Sequence, residues 1–210
     1  MIIEHLPVGM LHTNCYIVKD EASGALAVVD PGAQTEKIAR KIEEMGGKLE
    51  LILLTHGHFD HILAAPALQR QTGAKLWIHR GDEFFLEPEM AEKRGYIREE
   101  YVRPHVDGYL EDGGVIRLGE TELTVYNTPG HSRGSCVFVS GDVMFSGDTL
   151  FHECCGRCDL EGGSMDDMMQ SLRRIAELPG NYRVLPGHDI PSTLDYERRN
   201  NPYMLEAVRG

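Results

Sequence analysis

A chain of 210 residues, 41% hydrophobic and 26% charged, has the length and composition of a globular protein with a full core, and one domain over 1–210 is expected. Its formal charge of −12 argues against nucleic acid held mainly through phosphates, and no apolar run approaches the roughly 20 residues of a membrane helix. The start, Met1-Ile2-Ile3-Glu4-His5, lacks the basic and apolar regions of a signal peptide, and five cysteines (Cys15, Cys136, Cys154, Cys155 and Cys158) are an odd count, so a cytoplasmic protein with free thiols is expected.

Strands are predicted over 2–6, 15–18 and 25–29, the third ended by Asp30-Pro31-Gly32. Residues 35–46 read as an amphipathic helix with Ile38, Ile42 and Met45 on one face and Gly46-Gly47 as its stop. The apolar run 49–54 suits a buried strand, and a helix over 62–72 with Gly73 at its end follows the stretch Thr55-His56-Gly57-His58-Phe59-Asp60-His61. After a strand at 75–79, residues 80–114 read as short helices and loop carrying Phe84, Phe85, Tyr96, Tyr101 and Tyr109, and a connection this long is often functional. Strands return at 115–118, 122–126, 136–140 and 143–145. The helix over 164–178 opens on the capping pair Ser164 and Asp167, buries Met168, Leu172 and Ile175, and stops at Pro179-Gly180. A last strand at 183–185 precedes a helix from Ser192 through Asn200, which Asn201-Pro202 breaks before a short terminal segment. Periodicity supports mixed α and β structure in layers.

The stretch at 55–61 places ligand-type side chains where a strand ends and a helix begins. His56 and His58, two apart on extended chain, project to the same side and can share one metal ion. Asp60 and His61, just past the turn, can face a neighbouring position. Chance accounts for a lone histidine, but not for three histidines and an aspartate within six positions at a strand end. Three further loops repeat the arrangement of strand, glycine turn and ligand: Thr128-Pro129-Gly130-His131, Ser146-Gly147-Asp148-Thr149 and Pro186-Gly187-His188-Asp189. Several strand ends therefore converge on one spot. Imidazole with carboxylate suits zinc, iron or manganese.

The run His-x-His-x-Asp-His with Pro-Gly-His, Gly-Asp-Thr and Pro-Gly-His resembles the metallo-β-lactamase superfamily, and within it the glyoxalase II-like hydrolases. Matches extend from Thr13-Asn14-Cys15-Tyr16 and Asp30-Pro31-Gly32 to Asn201-Pro202-Tyr203. The resemblance implies an α/β, four-layer αββα sandwich, with residues 80–114 shaping the substrate pocket. It implies two divalent metal ions, zinc first with iron or manganese as alternatives. His56, His58 and His131 would hold one, Asp60, His61 and His188 the other, and Asp148 would bridge them, while Asp30 would be an outer residue. Ions about 3.5–4 Å apart can share a water whose pKa they lower toward about 7, giving a hydroxide without a serine or cysteine nucleophile. Asp60 would orient that hydroxide or shuttle its proton. The implied reaction is hydrolysis of a small-molecule thioester, since a thiolate leaves without a strong general acid.

Glyoxalase II enzymes add a C-terminal helical domain that contacts glutathione, and the 22 residues after His188 are too few for one. Arg157 aligns with the basic residue that helps bind the thiol carrier, although Asp159 stands where the family has tyrosine, so Arg157 can equally be an ion-pair residue. The same Gly-Arg-x-Asp segment resembles persulfide dioxygenases, which use a single iron, and a lactone hydrolase would use the same hydroxide. Cys155-Gly156-Arg157-Cys158 reads as thiols lining a pocket rather than as a redox or zinc motif. His12 and His152 flank site loops. The sequence leaves oligomeric state open.

Overall fold

Alternation of apolar side chains sets the layers. In β3 (Ala25–Val29), Leu26 and Val28 enter one buried cluster while Ala25, Ala27 and Val29 enter another. In β4 (Lys48–Leu53), Ile52 joins the first cluster, and Leu51 and Leu53 the second. In β9 (Cys136–Ser140), Cys136 and Phe138 join that second cluster, and Val137 and Val139 a third. Strands buried on both faces read as continuous apolar runs, as β3 and most of β9 do, while β4 opens with the exposed Lys48 and Glu50 before its apolar half.

The computed structural model describes residues 1–92 and 101–209. One six-stranded sheet runs in the order β1 (Ile2–Val8), β2 (Thr13–Lys19), β3, β4, β5 (Lys75–His79), β6 (Gly108–Leu110), antiparallel at β1–β2–β3 and parallel beyond. The other contains β7 (Val115–Leu118), β8 (Thr121–Asn127), β9, β10 (Val143–Gly147), β13 (Arg183–Pro186) and β14 (Ser192–Thr193), in the order β14-β13-β10-β9-β8-β7. A small hairpin, β11 (Leu150–Phe151) with β12 (Cys154–Cys155), stands beside it.

The second cluster lies between the sheets, with Phe138, Phe145 and Leu185 facing Val29 and Leu53. The first packs α1 (Thr35–Met45) and α3 (Ala65–Thr72) on one outer face through Ile38, Ile42 and Leu68. The third packs α5 (Met165–Ala176), α6 (Leu194–Asn200) and α7 (Pro202–Arg209) on the other through Met168, Leu172, Leu194 and Met204. The molecule is the expected αββα sandwich. Among the described residues no helix is long and apolar enough to cross a membrane.

Four local readings change. The helix expected over 62–72 is two helices, α2 (Phe59–Ile62) and α3, with Leu63 and Ala64 between them. Pro66 has no N–H to donate back toward α2 and sits in the first turn of a new helix, where that loss costs nothing. The region after β5 holds a 3₁₀ helix (Arg80–Leu86), α4 (Pro88–Glu92) and β6, a strand too short for periodicity to show. Of its aromatics, Phe85 and Tyr101 are buried, Phe84 and Tyr109 half-buried, and Tyr96 lies outside the described residues. Ser192 and Thr193 pair as β14 with β13, so α6 starts at Leu194 with Thr193 as its cap. The segment after Asn201-Pro202 is a further helix, because Pro202 begins it and the Asn201 side chain accepts from the main-chain N–H groups of Tyr203 and Met204.

Candidate metal centre

Five loops that follow strands β3, β4, β8, β10 and β13 carry the polar side chains that meet here, and all lie at carboxyl ends of strands, where open α/β sheets leave a crevice. His56, His58 and His131 offer ring nitrogens that lie within 4.8 Å of one another, and so do the ligand atoms of Asp60, His61 and His188. Nδ1 of His58 is 2.7 Å from Nε2 of His131, and Nε2 of His61 is 3.3 Å from Nε2 of His188. Asp148 stands between the groups. One of its oxygens is 3.4 Å from His131 Nε2 and 3.7 Å from His188 Nε2, and the other is 3.5 Å from His61 Nε2. All seven residues singled out from sequence are thus brought together.

The outward nitrogen of most of these rings is already engaged. His131 Nδ1 donates to the carbonyl of Arg157 (2.7 Å) and His188 Nδ1 to that of Leu11 (3.2 Å). His61 Nδ1 lies 3.0 Å from Asp30 Oδ2. The Thr55 hydroxyl donates to Asp30 (2.6 Å), so its oxygen accepts from His56 Nδ1 (3.1 Å). Asp30 also accepts from the Thr55 N–H at 2.8 Å, which occupies both of its oxygens and leaves it supporting His61 from behind. Such contacts fix ring orientation and leave the inward nitrogens facing the common space.

That space fits cations. His56 Nε2 and Asp148 Oδ1 are buried and have no hydrogen-bond partner among the described residues, a costly state for polar atoms unless something else satisfies them. The backbone crowds the rest of the shell: a Cβ on Gly187 would lie 2.2 Å from Asp148 Oδ1, and one on Gly156 would lie 1.9 Å from the Asp148 carbonyl oxygen. Charge follows the same logic. Burial and four neighbouring imidazoles hold His56 well below its ordinary pKa, so it is neutral. Burial also works to lower His61, but Asp60, Asp148 and Asp30 outweigh it and raise that ring to about 10. Burial works to raise Asp60, but His61, His188 and Thr13 outweigh it and keep the carboxylate ionised.

Two supports were given no role from the sequence, although Asn14 lies in the matched stretch Thr13-Asn14-Cys15-Tyr16. Asp82, wholly buried, accepts from the N–H groups of Gly57 (2.9 Å) and Gly134 (2.7 Å) and from the Ser132 hydroxyl (2.6 Å). Asn14 brackets the loop of His188: its N–H donates to the Gly187 carbonyl (2.7 Å), and its side chain to those of Pro186 (3.0 Å) and Asp189 (2.9 Å). Other expectations resolve plainly. The Arg157 side chain is at the surface in a double ion pair with Asp159 (both 2.7 Å), while its carbonyl serves His131. His152 stacks on Tyr196 with ring centroids 5.1 Å apart, and His12 lies exposed in the loop after β1. All five cysteines are free, and burial pushes the Cys155 thiol up to about 12, so it is not a ready nucleophile.

A family model described as the metallo-beta-lactamase superfamily matches residues 8–188. The chain is 32% identical to hydroxyacylglutathione hydrolase GloC of Haemophilus influenzae, over 97% of this chain and 98% of that one. Among solved structures, BLEG-1 B3 metallo-beta-lactamase superposes with a TM-score of 0.88 at 28% identity, covering 97% of this chain and 99% of that one. The protein TTHA1623, solved in a di-iron-bound form, superposes with a TM-score of 0.84 at 34% identity, covering 95% and 99%.

Proposed function

This chain belongs to the metallo-beta-lactamase superfamily and is a metal-dependent hydrolase, and on that premise we propose that it cleaves a small-molecule thioester with two divalent cations, zinc first and iron or manganese as substitutes. His56, His58 and His131 would hold one cation and Asp60, His61 and His188 the second, with Asp148 placed between the two groups. The observation that carries the reading is the placing of Asp148, whose carboxylate lies 3.4 Å from a ring nitrogen of one three-ligand group and 3.5 Å and 3.7 Å from two of the other. When bound, the cations supply Lewis acidity that makes water acidic enough to attack near neutral pH and polarises the substrate carbonyl.

The chain's own residues do the remainder. Asp60 is ionised and fixed by the Thr13 hydroxyl, which donates to it at 3.0 Å, so it orients the attacking water and passes on its proton. The new carbon–oxygen bond forms as the carbon–sulfur bond breaks, and the thiol leaves with one proton of the water. The histidines around the carbonyl are committed as ligands, which suits a thiolate, a leaving group that needs no strong acid. The 32% identity to a hydroxyacylglutathione hydrolase supports the same choice. Five unpaired cysteines suit work in the reducing cytoplasm.

Elemental analysis of the purified protein, paired with a thioester hydrolysis assay, tests this. About two ions per chain, with turnover abolished in Asp60→Ala and His188→Ala, is the expected result. A single iron with no thioester turnover and oxygen uptake on a glutathione persulfide would assign a dioxygenase instead. Turnover of a β-lactam but of no thioester would also overturn the proposal.

A further inference from the structure

We infer that the cavity beside Asp60 is an acyl pocket and that the thioesters accepted here carry an apolar acyl chain, an inference that rests on the thioesterase reading and deepens it. The cavity holds about 510 Å³ and reaches the metal centre at Asp60, whose carboxylate is held by Thr13, also in its wall. Its apolar wall is drawn from separate parts of the chain: Leu11 after β1, Phe59 and Leu63 around α2, Ala67 on α3, and Val102. Leu63 and Ala67, four residues apart, lie on one side of the helical corner that also carries Asp60. Pockets of about 300–1,000 Å³ enclose whole organic ligands, so this one exceeds what a two- or three-carbon acyl group fills.

The rim is apolar as well. Met10, Leu11 and Val102, which border the cavity, are 65%, 49% and 50% exposed. Apolar surface gathered at the mouth of a catalytic centre is covered when an apolar group binds. Among the described residues, the charged wall positions besides Asp60 are Glu36 and Arg70, one of each sign, a lining that suits a neutral chain better than an ionic one.

Position decides which end of the substrate enters. The cavity opens at Asp60, in the group formed with His61 and His188. The Gly156-Arg157 segment lies against His131, in the other group. A carbonyl held between the two groups thus has one arm toward the cavity and one toward that segment. The polar thiol carrier takes the segment, whose surface is the exposed Arg157–Asp159 ion pair, and the acyl chain takes the cavity.

Two substrate series on the metal-loaded protein test this. In one, the acyl chain on N-acetylcysteamine is lengthened from acetyl to octanoyl; in the other, acetyl is kept and an alkyl thiol is lengthened. In the first series kcat/KM is expected to rise about three- to fourfold per methylene until the cavity is full, and in the second to stay flat. Ala67→Trp narrows the cavity and is expected to lower the octanoyl-to-acetyl ratio at least about tenfold, from loss of several buried methylenes. Independently of that variant's folding, octanoate should inhibit the unmodified enzyme at least about tenfold more strongly than acetate does. Equal rates along the acyl series, or a length preference only in the thiol series, would overturn the acyl pocket while leaving the thioesterase standing. No turnover of any member of either series would instead sink the thioesterase reading itself.

Discussion

Asp82 is the acid that organises the centre without facing it. Gly57 lies between His56 and His58, and Ser132 follows His131, so one buried carboxylate fastens together the two loops that present those three rings. Burial raises its pKa, and the three donors are what hold the ionised form in place. Asp82→Asn keeps the size but turns an NH₂ toward an N–H donor. Metal affinity or activity is expected to fall about 10- to 100-fold, as for other residues behind metal ligands. Stability should fall by about 1–3 kcal/mol from the unsatisfied group. Metal titration and thermal melting read the two effects, and unchanged metal affinity would show the loops are held without it. His61 yields a second expectation. Its pKa, raised to about 10, means that the metal-free protein carries a proton there near neutral pH, which a cation must displace. Zinc uptake therefore releases protons, and apparent affinity falls as pH falls. Calorimetry in two buffers of different protonation enthalpy counts the protons; a count of zero would contradict this charge state. The ligands were legible because they share one signature, histidine or aspartate after a strand and a glycine turn. Asp82, in Arg80-Gly81-Asp82-Glu83, looks like any surface acid, because nothing local marks a residue whose partners are 25, 50 and 52 positions away.

At the scale of elements, the C-terminal helices are tied to the loop that orients His131. Asn201, fully buried, donates to the carbonyls of Cys154 (2.9 Å) and Phe151 (3.3 Å) and caps α7 with its oxygen. Glu197 on α6 accepts from the Asn201 side chain (3.0 Å) and from the Glu153 N–H (2.8 Å). Both contacts grip the β11–β12 hairpin, and Gly156 and Arg157 follow directly from β12. Asn201→Ala removes a cap and leaves main-chain groups of the hairpin unpaired, at a cost of about 1–3 kcal/mol. Thermal melting should show that loss, with metal affinity changing less than in Asp82→Asn, since Asn201 reaches His131 only through the hairpin. A melting temperature equal to that of the unmodified protein would exclude this tie. Asn201-Pro202 was visible in sequence as a break. That the same pair also begins a helix follows from tertiary burial of Met204 and Ala207 against α5 and the sheet, which one short amphipathic turn does not announce.

For the molecule as a whole, the ligands divide between the sheets. His56, His58, Asp60 and His61 come from the loop and the short helix α2 that follow β4, while His131, Asp148 and His188 follow β8, β10 and β13 of the other sheet. The layers were legible because alternation within the strands sorts side chains into three clusters. Which strand ends lock together across the sheets was not, since Asn14 and Tyr16 reach across to Pro186 over 172 and 170 positions of sequence. Cations held at this junction would cross-link the sheets in the folded state, where the unfolded chain offers no assembled site. Binding to the native state alone adds about 4 kcal/mol when free metal exceeds its dissociation constant a thousandfold. In a chain of 210 residues each kcal/mol moves the melting temperature by about 2–4 °C, so saturating metal should raise it by about 8–16 °C. Because one apolar cluster fills the space between the sheets, the shift should appear as a single transition rather than as the melting of one half. Calorimetric melts of the protein treated with chelator and then reloaded with zinc measure it. An unchanged melting temperature would mean that no cation links the two sheets, and the assignment of ligands from both would fail with it.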